Sequence, residues 1–174
     1  TMGAQRGDRG SVHTALHRQR LPGQKLTALL CTQREQSGGF GEGTAFFGLT
    51  DGADDGEDWT CDRRECFDAR GRLVLPDHFG QQQGGGLDPC AALSTVVRVP
   101  AGDAVERVFL LGYAASADAA RELATRAAGV PATQRLAAVR AHWDGLLEAT
   151  TVSTPDPLFD AMVNRWLLYQ AVSC

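Results

Sequence analysis

Thr154-Pro-Asp-Pro-Leu-Phe-Asp-Ala-Met-Val-Asn-Arg-Trp-Leu-Leu-Tyr-Gln-Ala-Val-Ser-Cys174 opens like a helix and does not close like one. Asp156 can accept the first free amide hydrogens, and Pro157 suits the first helical position, where its missing N–H and fixed φ do no harm. After this cap Leu158, Met162, Trp166 and Tyr169 recur at helical spacing, while Val163, Leu167 and Leu168 widen the apolar stripe beyond what one shallow contact covers. Such a helix is expected to pack among others. No Gly, Asn or Pro closes its last turn, so the expectation is a fragment that stops inside the first helix of a larger helical domain, residues 151–174 being its start.

Upstream, the period changes from two to three or four at Ser116. Ser116 or Asp118 can cap a helix reaching about Ala128, where Gly129 and Pro131 end it. Thr133 is placed to cap a second helix, with Leu136, Val139, Trp143 and Leu146 on one face. Residues 116–150 therefore read as a helical linker.

Residues 27–115 read as β-structure, the portion of a β-sandwich. The runs at 27–33, 44–49 and 58–63 are expected strands, with Asp51-Gly52 and Asp55-Gly56 as turns between the last two. The strongest alternation is at Leu93, Thr95, Val97 and Val99, then again from Val105 to Tyr113 after a turn at Pro100–Ala104. This predicts a hairpin over 93–113. Its second strand is apolar on both faces, so Phe109 should be covered by a second sheet or by the helix bearing Leu136, Val139 and Trp143, and Phe109→Ala is expected to cost about 3–5 kcal/mol. Residues 1–26, with four glycines and Arg6, Arg9, Arg18, Arg20 and Lys25 against Asp8, read as an irregular basic segment. Strands followed by helices argue for a β domain joined to a helical one rather than βαβ units.

A net charge of -4 and a pI near 5.5 give no support for nucleic-acid binding, which needs a clustered basic surface. The acidic residues between Glu42 and Asp68 read as a solvated loop face. No run has the roughly eighteen apolar residues that span a bilayer, and the first residues lack a signal-peptide core. The expected location is cytoplasmic, with any membrane association of the parent lying outside this stretch. Cys31, Cys61, Cys66, Cys90 and Cys174 are irregularly spaced and form no C-x-x-C, so they read as small buried residues in a reducing compartment rather than zinc ligands.

No catalytic, cofactor-binding or metal-ligating residue can be assigned, and substrate-binding residues stay unknown. Gly84-Gly85-Gly86 lacks the Lys-Ser/Thr of a phosphate loop. His13, His17, His78 and His142 are never paired at metal-ligand spacing. Trp143 and Trp166 sit on helical stripes and read as core; Trp59, in a loop-rich acidic stretch, is the one for which facing a sugar stands as the lesser alternative to packing. Asp156 is explained by its cap and Asp160 by the helix dipole.

Taken in order, Phe40-Gly-Glu-Gly-Thr-Ala-Phe-Phe47, Thr60-Cys-Asp-Arg-Arg-Glu65, Gly86-Leu-Asp-Pro-Cys-Ala-Ala-Leu93, Val108-Phe-Leu-Leu-Gly112, Val139-Arg-Ala-His-Trp-Asp144 and the 154–170 stretch resemble glycoside hydrolase family 94, the inverting β-glycoside phosphorylases, especially the branch that includes the phosphorylase-like region of cyclic β-1,2-glucan synthases. The resemblance implies a supersandwich, a helical linker and an (α/α)6 barrel that carries the chemistry. It implies an aspartic acid on that barrel, beyond Cys174, which protonates the leaving oxygen while inorganic phosphate attacks the anomeric carbon from the opposite face. The implied partners are a β-glucan oligosaccharide and phosphate as co-substrate, with room for a homodimer and no cofactor. The family's usual aromatic, aliphatic and glycine after Arg63-Arg-Glu are replaced by Cys66-Phe-Asp-Ala69, and residues 1–39 match poorly. A non-catalytic carbohydrate-binding or structural β-module is the alternative.

Overall fold

The computed structural model describes residues 11–34, 43–51, 57–148 and 151–173. The chain divides into two compact units, Thr1–Gly129 and Val130–Cys174.

The first unit is built on an antiparallel sheet of β1 (Val12–Leu21), β2 (Gln24–Gln33), β3 (Thr44–Asp51) and β6 (Val108–Ala114), in the order β1-β2-β3-β6. A second sheet pairs β4 (Asp58–Asp62) with β5 (Pro89–Ser94). The expectation of an irregular start over residues 1–26 is corrected by β1. Leu21 and Gln24 face each other across Pro22-Gly23, and Gly23 has φ +72°, the proline-then-glycine pattern of a type II turn. That dipeptide folds the basic stretch back on β2, burying Val12 and Thr14 and leaving Arg18 and Arg20 exposed.

β2 is apolar because both faces are covered. Leu26, Ala28 and Leu30 point to one side together with Phe46 of β3 and Leu110 of β6, where they meet α1 (Ala117–Ala128) through Ala120, Ala124 and Ala128. Alanines at this spacing allow the helix to lie close on the sheet. Ser116 caps it by accepting from the Ala119 amide at 3.3 Å, and the Gln24 side chain donates to the Ala128 carbonyl at 2.6 Å. On the other side Leu29 packs with Trp59 and Cys61 of β4, with Leu16, Leu87 and Leu93 around them. Two sheets with an apolar layer between them are sandwich packing. α1 packs on the sheet and falls within the first compact unit.

The hairpin over 93–113 is not formed. β5 pairs with β4, Trp59 opposite Leu93, whereas β6 pairs with β3, Phe47 opposite Leu111. The turn itself exists, with the Asp103 amide donating to the Pro100 carbonyl at 3.1 Å, yet its flanks go to different sheets. Alternation shows which face of a strand is apolar; it does not name the neighbour. The burial expected of Phe109 is corrected too, for the side chain is 47% exposed. Phe109 lies on the sheet's second face, which β4–β5 covers over β1, β2 and β3, and the helix on its first face is α1.

The second unit contains α2 (Ala132–Leu147), α3 (Pro157–Ala161), a π-helical turn at Met162–Trp166 and α4 (Leu167–Ser173). α2 begins after Pro131 with no side-chain cap, so Thr133 does not cap it. Asp156 caps α3 as expected, accepting from Leu158 and Phe159 amides at 2.9 and 3.2 Å. Its apolar stripe stays open, with Trp166 59% exposed. Among the described residues no helix is long and apolar enough to cross a membrane.

Candidate functional site

The Thr60-Cys-Asp-Arg-Arg-Glu65 stretch closes on itself as a polar clasp. Asp62, nearly buried, starts a 3-10 turn by accepting from the Arg64 amide at 3.1 Å, and the Arg64 Nε donates to both of its oxygens at 2.9 Å. Arg64 Nη2 closes the pair on Asp62 Oδ2. Burial opposes ionisation of Asp62, but the Arg64 guanidinium and the surrounding amides outweigh it and hold the carboxyl below its ordinary range. Glu65 accepts from the Thr60 hydroxyl at 2.9 Å and from the Gly80 amide at 2.6 Å. The Arg63 amide donates to the Asp88 carbonyl at 2.8 Å. The Asp62 and Glu65 carboxylates are thus engaged in shaping the end of β4 and tying the 79–88 segment to it. They hold structure and leave no acid of the clasp free for proton transfer.

Beside the clasp lies an open groove of about 410 Å³, lined among others by Asp58, Asp77, Phe79, Arg107 and Phe109. Asp58 is fixed there by accepting from its neighbour Trp59 amide at 3.0 Å and the Phe79 amide at 2.5 Å. Phe109 is held by a parallel stack on Phe47, with centroids 5.7 Å apart. A rim of aromatic faces with a few polar groups can bind a ligand; it contains no activated nucleophile. A second hollow of about 420 Å³ is lined by Arg18, Arg20, Lys25, Thr27 and Glu57. Lys25 is paired there with Glu57 at 2.8 Å.

The structure separates the residues weighed from sequence. Trp59 is 3% exposed and belongs to the inter-sheet core, so it does not face a sugar; its bulk fills the space between the layers. Trp143 and Trp166 both stack near Tyr169, at 5.7 and 6.1 Å, and Trp166 is not the core residue its stripe suggested. His17 reaches the Thr125 hydroxyl at 3.4 Å. Its pKa is lowered, first by desolvation and then by Arg121. His78 lies 3.8 Å from Asp58, and His142 is exposed at the edge of Trp143. Gly84 exchanges backbone hydrogen bonds with Thr14 at 2.9 and 3.0 Å, so this glycine run pairs with a strand edge. Glu42 and the acidic 52–56 segment lie outside the described residues.

Cys31, Cys61, Cys66 and Cys90 are free thiols. Desolvation pushes Cys61 up to about 11 and Cys90 up to about 12, the behaviour of inert packing residues. Among the described residues no group of His, Cys, Asp and Glu could hold a metal ion.

Sequence reasoning missed two contacts in the second unit. Asp160 accepts from both the amide and the hydroxyl of Thr154, at 3.0 and 2.8 Å. Asn164, inside the π-turn, exchanges two hydrogen bonds of 2.7 Å with the Val152 backbone. The Thr-x-x-x-x-x-Asp spacing could have suggested the first; nothing in the sequence signals a π-turn.

The model of the family described as "Glycosyl hydrolase 94, supersandwich domain" matches residues 10–130. The chain belongs to glycoside hydrolase family 94. The match spans both sheets and α1, the extent of the first compact unit. This family-94 chain is 33% identical over 122 residues, 67% of its length, to a cyclic β-(1,2)-glucan synthase, NdvB, of Rhizobium meliloti (strain 1021). It is 30% identical over 86 residues, 49% of its length, to an N,N'-diacetylchitobiose phosphorylase of Vibrio proteolyticus. The matched stretches span 4% and 10% of those proteins.

Proposed function

We propose that this chain is the supersandwich part of a carbohydrate-active enzyme that acts on β-linked glucan, a phosphorylase or a cyclic β-1,2-glucan synthase, and that it scaffolds a catalytic helical barrel. The observation that carries this reading is the family match over 10–130, supported by two relatives whose names describe a β-glucan synthase and a chitobiose phosphorylase. The capped helix from Pro157, with its open apolar stripe, is the expected first helix of that barrel. In the parent an acid on the barrel protonates the leaving oxygen and phosphate attacks with inversion. The substrates are then a β-glucan oligosaccharide and phosphate, handled in the cytoplasm.

The 174-residue chain alone is expected to be inactive, because the acid that protonates the leaving oxygen is expected on the barrel and, among the described residues, the carboxylates of the Asp62 clasp are committed to structure. Purified chain incubated with sophorose or longer β-1,2-glucans and phosphate should release no glucose 1-phosphate above a heat-killed control. Turnover above that control overturns the scaffold reading.

A further inference from the structure

The face of the four-stranded sheet that carries β4–β5 is only partly roofed. Cross-strand partners share a face, so Leu16 with Leu29, Arg18 with Thr27 and Arg20 with Lys25 follow one another along β1 and β2 as three rungs. The first rung packs with Trp59. The next two line the open hollow of about 420 Å³, with Glu57, the residue before β4, in its wall.

Thr27 lies at the floor of this hollow. It is 1% exposed, with Arg18 opposite it on β1 and the buried Leu49 opposite it on β3, and its hydroxyl has no hydrogen-bond partner among the described residues. A buried hydroxyl without a partner is destabilising, and a rung that served packing alone would be better filled by the isosteric valine. The groups above it are mostly cationic. Lys25 is paired with Glu57 at 2.8 Å, whereas no described carboxylate engages the exposed Arg18 and Arg20. Arg20 also faces Lys25 directly, and like charges opposite one another weaken an antiparallel ladder. Solubility accounts for exposed arginines, but it does not account for an orphaned hydroxyl beneath them.

We propose that this hollow binds a small molecule carrying one phosphate group, held by the Arg18 and Arg20 guanidinium groups with the Thr27 hydroxyl donating from below. Guanidinium forks match phosphate oxygens through paired N–H donors, and the bound anion offsets the repulsion along the rungs. A phosphate fills only part of the hollow, and the Glu57 carboxylate accepts hydrogen bonds from hydroxyls while repelling a second phosphate. The ligand is therefore of sugar-phosphate size and singly phosphorylated. This inference does not rest on the phosphorylase reading, and it is read by binding without turnover, so either can fail alone.

Calorimetric titration of the 174-residue chain at low salt should show one molecule of glucose 6-phosphate bound per chain with a Kd of about 0.01–1 mM, inorganic phosphate bound more weakly, and glucose not bound. Phosphate bound as tightly as glucose 6-phosphate would support the site with the free anion as its ligand. Arg18→Gln and Arg20→Gln should each weaken binding at least about tenfold, the loss of a charge-assisted hydrogen bond. Thr27→Val should weaken it severalfold while raising the melting temperature of the ligand-free chain, and Thr27→Ser, which keeps the hydroxyl, should still bind. Arg121→Gln, a change of the same charge on α1, should bind like wild type. No binding of either phosphate, binding unchanged by Arg18→Gln, Arg20→Gln or Thr27→Val, or binding lost equally with Arg121→Gln overturns the proposal.

Discussion

Phe109 and Leu110 are neighbours in β6 with opposite surroundings. Leu110 is 6% exposed in the core beneath α1, so Leu110→Ala should cost about 2–5 kcal/mol, as buried leucine truncations do. Phe109 keeps one face on Phe47 and the other open, and Phe109→Ala should cost only about 1–2 kcal/mol. Denaturant melts of the two variants rank them directly; the reverse order would mean that the strand is turned over. Gly112 is constrained in another way. A Cβ there would lie 2.5 Å from the Phe46 ring, so Gly112→Ala should displace that ring and cost about 1–3 kcal/mol in the same assay. His17 adds a pH dependence. Its folded pKa is depressed, so protonation is harder in the folded chain than in the unfolded one. The stability is therefore complete above the ordinary value of about 6.5 and falls as the pH drops from there through the lowered folded value. Thermal melts between about pH 7 and pH 5 should show less acid loss for His17→Gln than for wild type.

At the scale of elements, the helix from Pro157 should be the weakest. Its apolar stripe is exposed, and isolated helices draw little stability from propensity. Amides at 158–173 should exchange faster than those of β2 and β3, and Asp156→Ala, which removes the cap at a cost of about 1 kcal/mol, should speed that exchange further. Slower exchange than in the sheet would contradict this. The capped start of this helix and the Ser116 cap are legible because a cap is a local event, written in two or three adjacent residues. β1 is obscured by its arginines and glycines, although Pro22-Gly23 marks the turn plainly once the pairing is known. The 93–113 hairpin fails for a different reason. Whether β6 pairs with β3 or with the strand that ends at Ser94 depends on long-range burial that alternation does not contain, and the sheet gains more by seating Leu110 beside Phe46 and Ala28. The clasp around Asp62 is visible in sequence only as a family motif, since its partners at Gly80 and Asp88 are distant along the chain.

For the whole molecule, the family is readable from scattered short stretches, because each keeps a fixed structural duty: Asp62 and Arg64 in the clasp, Gly112 beneath Phe46, Leu93 opposite Trp59. A catalytic centre is not legible, and the geometry explains why, since the conspicuous carboxylates at 58–65 are consumed by amides, a hydroxyl and a guanidinium group. Two apolar surfaces, the exposed Leu111 face of β6 and the stripe from Leu158, are each left open within their own unit. They predict that solubility should rise more from Leu111→Lys combined with Leu158→Lys than from either substitution alone, which a precipitation titration would measure. A combined variant no more soluble than the single ones would place the sticky surface elsewhere.

The free thiols between the two sheets also make a built-in clock. Cys61 sits at zero exposure with its ionisation suppressed, and alkylating reagents consume thiolates. At neutral pH it can be labelled only while the layers stand apart. The rate at which a maleimide marks Cys61, followed by peptide mass, therefore times the separation of the two sheets, and comparing that rate with the labelling of the less enclosed Cys31 distinguishes a breathing edge from a parted sandwich.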